Sequence, residues 1–197
     1  MMRKFKTEER LQKIITTAKW RQFSLGVIME NIHDPHNVSA IFRTCDAVGV
    51  PKISLLYTFE SFPKISKTSS SSANKWIEAE KFNDTKKCYD NFRAAGYKVY
   101  ASMLNQKAMS IYDIDFTQKI ALVFGNEKRG VSSEAEKLAD ETFYIPMRGM
   151  IQSLNVSVAA AVTLYEAQRQ RALKGMYEKS ELDPQKLDEL IDKWCDK

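Results

Sequence analysis

The feature that most constrains the fold of this chain is a regular alternation of short apolar runs with amphipathic segments. Apolar runs of strand length occupy residues 23–29, 53–57, 97–101 and 119–124. Between the first two runs, Val38, Ile41, Phe42, Cys45 and Val48 recur at helical spacing, and Gly49 follows as a helix stop. Strands that alternate with helices usually pair in parallel and are covered on both sides. The sequence therefore predicts an α/β fold with a mostly parallel sheet and helices on both faces.

A second informative stretch is residues 143–165, which reads as a short strand, a loop and a helix. Pro146 and Gly149 punctuate the loop, where they allow a sharp turn of the main chain. The helix, predicted to begin near Leu154, is apolar on nearly every face, which indicates burial on more than one side. Such a segment is either an ordinary core helix after a turn or a ligand clamp backed by an interface.

Size and composition exclude several classes of protein. The chain has 197 residues, 44% of them hydrophobic, which suits one well-buried domain. No apolar run approaches the roughly 18–20 residues of a membrane span, so no membrane partner is expected. Three widely spaced cysteines without a CxxC pair, and no N-terminal leader, favour a reducing cytoplasm. With two histidines, a tetrahedral metal site is not expected.

The positive charge is concentrated at the N-terminus. Residues 1–21 hold seven Lys and Arg residues against two Glu residues, which accounts for the whole net charge of +5. Apolar residues at helical spacing, among them Leu11 and Ile14, predict an amphipathic helix with a basic outer face. Its partner would be a polyanion, unless the helix is merely solvated. A Ser- and Lys-rich segment, 59–75, centred on 68–72, could contact phosphates or act as a flexible linker.

Three polar loops, 30–37, 125–130 and 146–153, each follow a predicted strand. In a parallel sheet, ligands bind beyond the carboxyl ends of the strands, so we expect these loops to converge. None of the seven glycines forms a GxGxxG turn, and neither a P-loop nor a nucleophile elbow occurs. A nucleotide-wrapping turn and a serine hydrolase site are thereby disfavoured.

The residues of these loops carry a specific resemblance. Residues 30–49, which include DPHNVSAIFRTCDAVG, residues 124–132 (FGNEKRGVS) and residues 145–157 (IPMRGMIQSLNVS) resemble, in order and spacing, the three motifs of the SPOUT methyltransferases, in their TrmH branch. The resemblance spans residues 22–171. It implies a methyltransferase domain over this range, a basic helix at 1–21 and a helical extension at 172–197.

The family implies a deep trefoil knot at the C-terminal end of the sheet, where S-adenosylmethionine binds in a bent form. By the family's pattern, the cofactor site is lined by residues of the three loops and by the end of strand 97–101. They are Ser102, Gly125, Asn126, Glu127, Lys128, Arg129, Ile145, Met147 and Leu154. Family members usually have Thr where this chain has Ser102, and Met147 could equally be core filler.

The resemblance also implies the catalytic set Arg43, Asn31, Glu127, Ser153 and Asn155. Arg43 matches the family's catalytic arginine. A guanidinium remains charged in nearly every setting, so a role in holding a phosphate and polarising a ribose hydroxyl is favoured over proton removal. His36 is the conventional alternative as the base. The other residues are expected to position these groups, or simply to cap helices.

The activity implied is transfer of a methyl group to the ribose 2′-hydroxyl of a guanosine at position 18, in the D-loop of tRNA. The partners implied are tRNA and a second copy of the chain, in a homodimer whose active sites are shared. The alternatives are a 2′-O-methyltransferase acting on 23S rRNA, although those relatives commonly carry a separate N-terminal domain, and an RNA-binding assembly factor without catalysis.

Overall fold

The computed structural model describes residues 2–63 and 73–197, and the centre of the Ser- and Lys-rich segment, residues 68–72, lies outside them. In the described part, strands and helices alternate as the apolar runs predict. The strands are β1 Leu25–Glu30, β2 Lys52–Leu56, β3 Glu78–Phe82, β4 Lys98–Ser102, β5 Met109–Ser110, β6 Ile120–Phe124 and β7 Glu141–Tyr144. The α-helices are α1 Glu8–Lys19, α2 Pro35–Val48, α3 Thr85–Ala94, α4 Ser133–Leu138, α5 Val156–Leu173 and α6 Pro184–Cys195.

The strands form one sheet in the order β3-β2-β1-β6-β4-β7-β5, with every pair parallel. In the centre, Val27 of β1 lies opposite Ile53 of β2 and Leu122 of β6. The predicted parallel sheet is confirmed. Strand β5 was not predicted, because two residues are too few to produce a pattern.

Helices cover both faces of the sheet. On one face, Val27 and Met29 pack in a cluster that includes Phe42 of α2 and Leu164 of α5. On the other face, Ile28 packs in a cluster with residues of α3 and α4. Strand β1 is therefore buried along its whole length, which explains its continuous apolar run.

Helix α2 is capped by Asp34, whose carboxylate accepts a hydrogen bond of 2.8 Å from the backbone N–H of His36. Pro35 then occupies the first turn, where a missing N–H does no harm. The helix ends at Gly49, as predicted, in a left-handed conformation with φ of 88°. Together these signals fix the length and direction of the helix that carries Arg43.

The two helical extensions pack against each other and form a small separate core. Ile14 and Ala18 of α1 contact Ile191 and Trp194 of α6 in this cluster. The Trp194 ring lies 5.3 Å from that of Trp76, just before β3, so the pair covers the amino end of the sheet. The basic helix therefore lies at the sheet edge opposite the carboxyl ends of the strands.

The predicted basic outer face of residues 1–21 is only partly correct. Arg21 is fully buried and its guanidinium pairs with Asp46. Arg3 forms ion pairs with Asp192, at 2.6 Å, and with Asp188 of α6. Two of the seven cations are thus engaged by acidic groups of this chain, since folding brings carboxylates near them that sequence spacing cannot reveal. The limits at 21/22 and 171/172 stay predictions, as does the knot, because strand order does not define how a chain is threaded.

Candidate functional site

A cavity of about 770 Å³ opens at the carboxyl ends of β4, β6 and β7. All nine residues predicted for the cofactor site line it: Ser102, Gly125, Asn126, Glu127, Lys128, Arg129, Ile145, Met147 and Leu154. Its further walls include Phe124, Val156 and Ala159. The volume lies within the range of roughly 300–1,000 Å³ that is typical of small-molecule sites. The convergence of loops 125–130 and 146–153 is thereby confirmed.

The floor of the cavity is a tightly closed loop, 125–130. Asn126 and Gly130 exchange two backbone hydrogen bonds, of 3.0 and 2.8 Å, and Gly130 has a left-handed φ of 68°. The Asn126 side-chain oxygen also accepts the backbone N–H groups of Lys128 and Arg129. A Cβ added to Gly125 would lie 2.3 Å from main-chain atoms of Gly130, so only glycine fits there without movement of the loop.

Glu127 ties this floor to the start of α2. Its carboxylate accepts the backbone N–H groups of His33, at 2.9 Å, and Asp34, at 3.0 Å, and the Asn37 side-chain amide at 2.9 Å. Burial by itself raises the pKa of Glu127, but the hydrogen bonds from Asn37, His33 and Asp34 outweigh it, so the pKa is lowered. The carboxylate is therefore held ionised as a support for two loops.

Asn37 is the residue of the site that sequence reasoning missed. It is buried, donates to Glu127, and accepts a hydrogen bond of 3.1 Å from the side-chain amide of Asn155. Asn155 in turn caps α5 through the N–H of Ser157. Asn37 thus bridges the second and third motifs. The available signal is a polar residue at the start of a predicted helix, within the first motif.

Asn31 lies outside the residues that line the cavity. It is buried, with a left-handed φ of 50°, and its side-chain oxygen accepts the N–H groups of Thr58, Phe59 and Glu60. Its carbonyl accepts the side-chain amide of Asn126 at 2.7 Å. Asn31 therefore positions the loop after β2 against the cavity floor.

Arg43 is exposed and is also absent from the cavity lining of its own chain. It shares one face of α2 with His36, which is exposed too, since the two are seven residues apart. Within one chain the structure thus separates Arg43 from the predicted cofactor residues. Ser153 and Asn155, by contrast, line the cavity together with Glu127.

Helix α5, predicted to be buried on more than one side, buries one face within this chain. Ala160, Leu164 and Ala167 point into the core, whereas Val158, Val162 and Tyr165 are 46%, 37% and 54% exposed. Met150 and Ile151 in the preceding loop are also exposed. Helices α2 and α5 are neighbours, so the exposed side of α2, which carries His36 and Arg43, is near this apolar face of α5.

Over residues 2–63 and 73–197, His, Cys, Asp and Glu side chains form no group of three that could hold a metal ion. The helices in the same part of the chain are too short or too polar to cross a membrane. The three cysteines are buried and unpaired.

Comparison with known proteins agrees with this geometry. Residues 24–165 match the model of the SpoU rRNA Methylase family. A tRNA (guanosine(18)-2′-O)-methyltransferase of Thermus thermophilus is 43% identical over 192 residues, which are 98% of this chain and 98% of the relative.

Solved structures give the same result. The A. aeolicus TrmH/SpoU tRNA modifying enzyme superimposes with a TM-score of 0.89 at 38% identity, covering 95% of each chain. The SpoU methyltransferase AviRb from Streptomyces viridochromogenes, solved with the cofactor AdoMet, has a TM-score of 0.69 at 30% identity, over 79% of this chain and 62% of that one. The family match covers well over half of the sequence, and this chain belongs to the SpoU rRNA methylase family.

Proposed function

We propose that this protein is a tRNA (guanosine(18)-2′-O)-methyltransferase that uses S-adenosylmethionine. The observation that carries the proposal is the cavity, since all nine residues predicted for the cofactor line it. The relative of that activity from Thermus thermophilus, aligned over 98% of both chains, supports tRNA rather than 23S rRNA as the substrate.

The cavity suits the cofactor in chemistry as well as in size. Phe124, Leu154 and Val156 provide apolar walls for an adenosine, while the loop 125–130 provides main-chain polar groups. S-adenosylmethionine, when bound, supplies a methyl group on a sulfonium that a ribose oxygen can attack. The chain's own contribution is to hold that group in a site of fixed shape, which the hydrogen bonds of Asn126 and Glu127 keep rigid.

Arg43 is assigned to the RNA in this proposal. A ribose hydroxyl is a weak nucleophile, so placing its oxygen in line with the methyl group is a large part of the task. An exposed guanidinium can grip the adjacent phosphate and polarise the hydroxyl, and it need not lose its own proton. His36, on the same face of α2, is the candidate for accepting the proton that the hydroxyl loses. Ser153, Asn155 and Asn31 then position the reacting groups.

The proposal includes a homodimer with shared sites. The exposed apolar face of α5 is unsuited to water, and a twofold axis would bury it against its copy. Because Arg43 lies outside its own cavity and beside this face, the same interface would bring it to the cavity of the partner. Residues 22–171 would form this catalytic unit, with 1–21 and 172–197 as extensions.

The direct test uses purified protein, S-adenosylmethionine labelled in its methyl group, and two RNAs made in vitro: whole tRNA and a 23S rRNA fragment. We expect 2′-O-methylation of guanosine 18 in the tRNA, mapped by mass spectrometry, and its loss in Arg43→Ala while cofactor affinity is kept within a few-fold. Methylation of the rRNA alone would select the rRNA enzyme, and cofactor-independent RNA binding without methylation would select an assembly factor.

Site sharing has its own test. Arg43→Ala protein is mixed with Gly125→Val protein, both inactive, and the subunits are exchanged by unfolding and co-refolding. Under random pairing half of the dimers are mixed and each has one intact site, so about a quarter of the wild-type activity should return. If each site lies within one chain, activity stays near zero although exchange is complete.

A further inference from the structure

An aromatic residue, Phe59, stands exposed beside the cavity. It follows β2, and 49% of its surface is exposed, whereas Tyr57, two residues before it, is buried. The ring does not belong to the core clusters of the described residues. Core packing among the described residues therefore gives no reason for a phenylalanine at this position.

The backbone that carries Phe59 is nevertheless held firmly. The Asn31 side-chain oxygen accepts N–H groups from three successive residues, at 2.9 Å from Thr58 and 3.2 Å from both Phe59 and Glu60. Glu60 is also within 3.1 Å of the ring of His33. An exposed aromatic side chain on a fixed backbone is a preorganised contact, because little conformational entropy remains to be lost on binding.

A cation lies against this ring. The Arg129 guanidinium carbon is 4.8 Å from the Phe59 ring centroid, and Arg129 itself lines the cavity. Three residues after Phe59, the ring of Phe62 is 36% exposed, and the Lys81 ammonium nitrogen lies 5.0 Å from its centroid. Exposed aromatic rings interleaved with cations are the combination by which proteins bind single-stranded RNA, the rings stacking on bases and the cations following the backbone.

We infer that Phe59, backed by Arg129, is a stacking platform for an unpaired base of the RNA at the rim of the cavity. This inference rests on the proposed function. Proteins that recognise folded RNA target bases that are unstacked in loops, and such a base finds a new stacking surface on an aromatic side chain. Arg129 links the platform directly to the cofactor loop, so a base held by Phe59 would place its own or the adjacent ribose at the cavity.

The test compares three substitutions of known burial. Phe59→Leu keeps the apolar bulk and removes the ring, whereas Phe59→Trp keeps a stacking surface. Tyr112→Leu is the matched control, because Tyr112 is a 63% exposed aromatic residue after β5 that belongs neither to the cavity lining nor to the basic N-terminal helix. Dissociation constants for whole tRNA and for S-adenosylmethionine, and the salt dependence of RNA binding, are measured for each protein.

Phe59→Leu should weaken tRNA binding roughly tenfold, as expected for loss of one base stack. Its salt slope should match the wild type, since no phosphate contact is lost. Phe59→Trp should bind tRNA as the wild type does, and Tyr112→Leu should leave tRNA binding unchanged. None of the three substitutions should alter cofactor binding more than about twofold. A 2-aminopurine placed next to guanosine 18 should lose fluorescence with the wild type and retain it with Phe59→Leu.

Two results would overturn the platform. In one, Phe59→Leu binds tRNA as tightly as the wild type. In the other, the leucine and tryptophan variants lose RNA and cofactor binding together, which would mean that the ring only packs the loop. Either result leaves the proposed function intact if the wild type methylates tRNA. Conversely, if the wild-type protein binds tRNA through Phe59 but does not methylate it, the proposed activity is wrong while the stacking platform is supported.

Discussion

Arg171, near the end of α5, makes a quantitative prediction about stability. Its side chain is fully buried, and its guanidinium donates to the carbonyls of Phe116, at 2.9 Å, and Gln118, at 3.0 Å. It also reaches Ser24 Oγ at 2.7 Å and the Glu181 carboxylate at 3.5 Å. One residue thus joins the start of β1, the loop before β6 and the C-terminal extension.

Replacement by methionine keeps an unbranched apolar stem and removes the charge and every donor. Breaking one side of a buried, hydrogen-bonded ion pair costs about 3–5 kcal/mol. For a chain of this size, each kcal/mol corresponds to roughly 2–4 °C, so Arg171→Met should lower the melting temperature by about 6–20 °C. The melting temperature of Arg171→Lys should lie between those of the wild type and Arg171→Met, since an ammonium offers three donors in place of five.

The assay is urea unfolding followed by circular dichroism, with calorimetry for the melting temperature. Arg169→Met is the matched control, because Arg169 lies on the same helix with its side chain 59% exposed and pairs only with Glu166, three residues away. It should unfold like the wild type. An Arg171→Met protein within about 1 kcal/mol of the wild type would refute the view that this residue holds the three segments together.

Two further predictions concern Gly125 in the cavity floor and Glu30 at the end of β1. Gly125→Ala should abolish cofactor binding measured by calorimetry, because the added Cβ would lie 2.3 Å from main-chain atoms. Gly149→Ala is the control and should bind the cofactor normally, since a Cβ there has no atom within 4 Å. Equal cofactor binding by both variants would contradict the rigid floor. Burial raises the pKa of Glu30, whose Oε1 finds no partner among the described residues. Because the pKa of Glu30 is raised in the folded state, the free energy of unfolding falls as pH rises above the unfolded pKa of 4.5. The free energy of unfolding of Glu30→Gln should therefore exceed that of the wild type near pH 8 and equal it near pH 4. The same difference in stability at both pH values would rule out titration of Glu30 as its cause.

The sequence alone determined the architecture and indicated residues that line the cavity. Continuous apolar runs bounded by turn signals set the strands, and Gly49 and Pro35 set the ends of α2, because these are properties of neighbouring residues. The residues for the cavity came from motif resemblance, and they lie at the ends of β4, β6 and β7 or in the loops that follow β6 and β7. Parallel pairing then brings those loops to one edge without further information.

Tertiary structure decided which polar groups are engaged and which surfaces remain open. Arg21 and Arg171 belong to basic segments in the sequence, yet both are buried, because carboxylates from distant positions meet them. Asn37 acquires its role only when Glu127 and Asn155, about ninety residues or more away, arrive beside it. Helix α5 looks apolar all round, but which face stays exposed depends on where the sheet and α2 lie. Periodicity reports the local conformation of the backbone, whereas burial and hydrogen-bond partners arise from the packing of residues that are far apart in the chain.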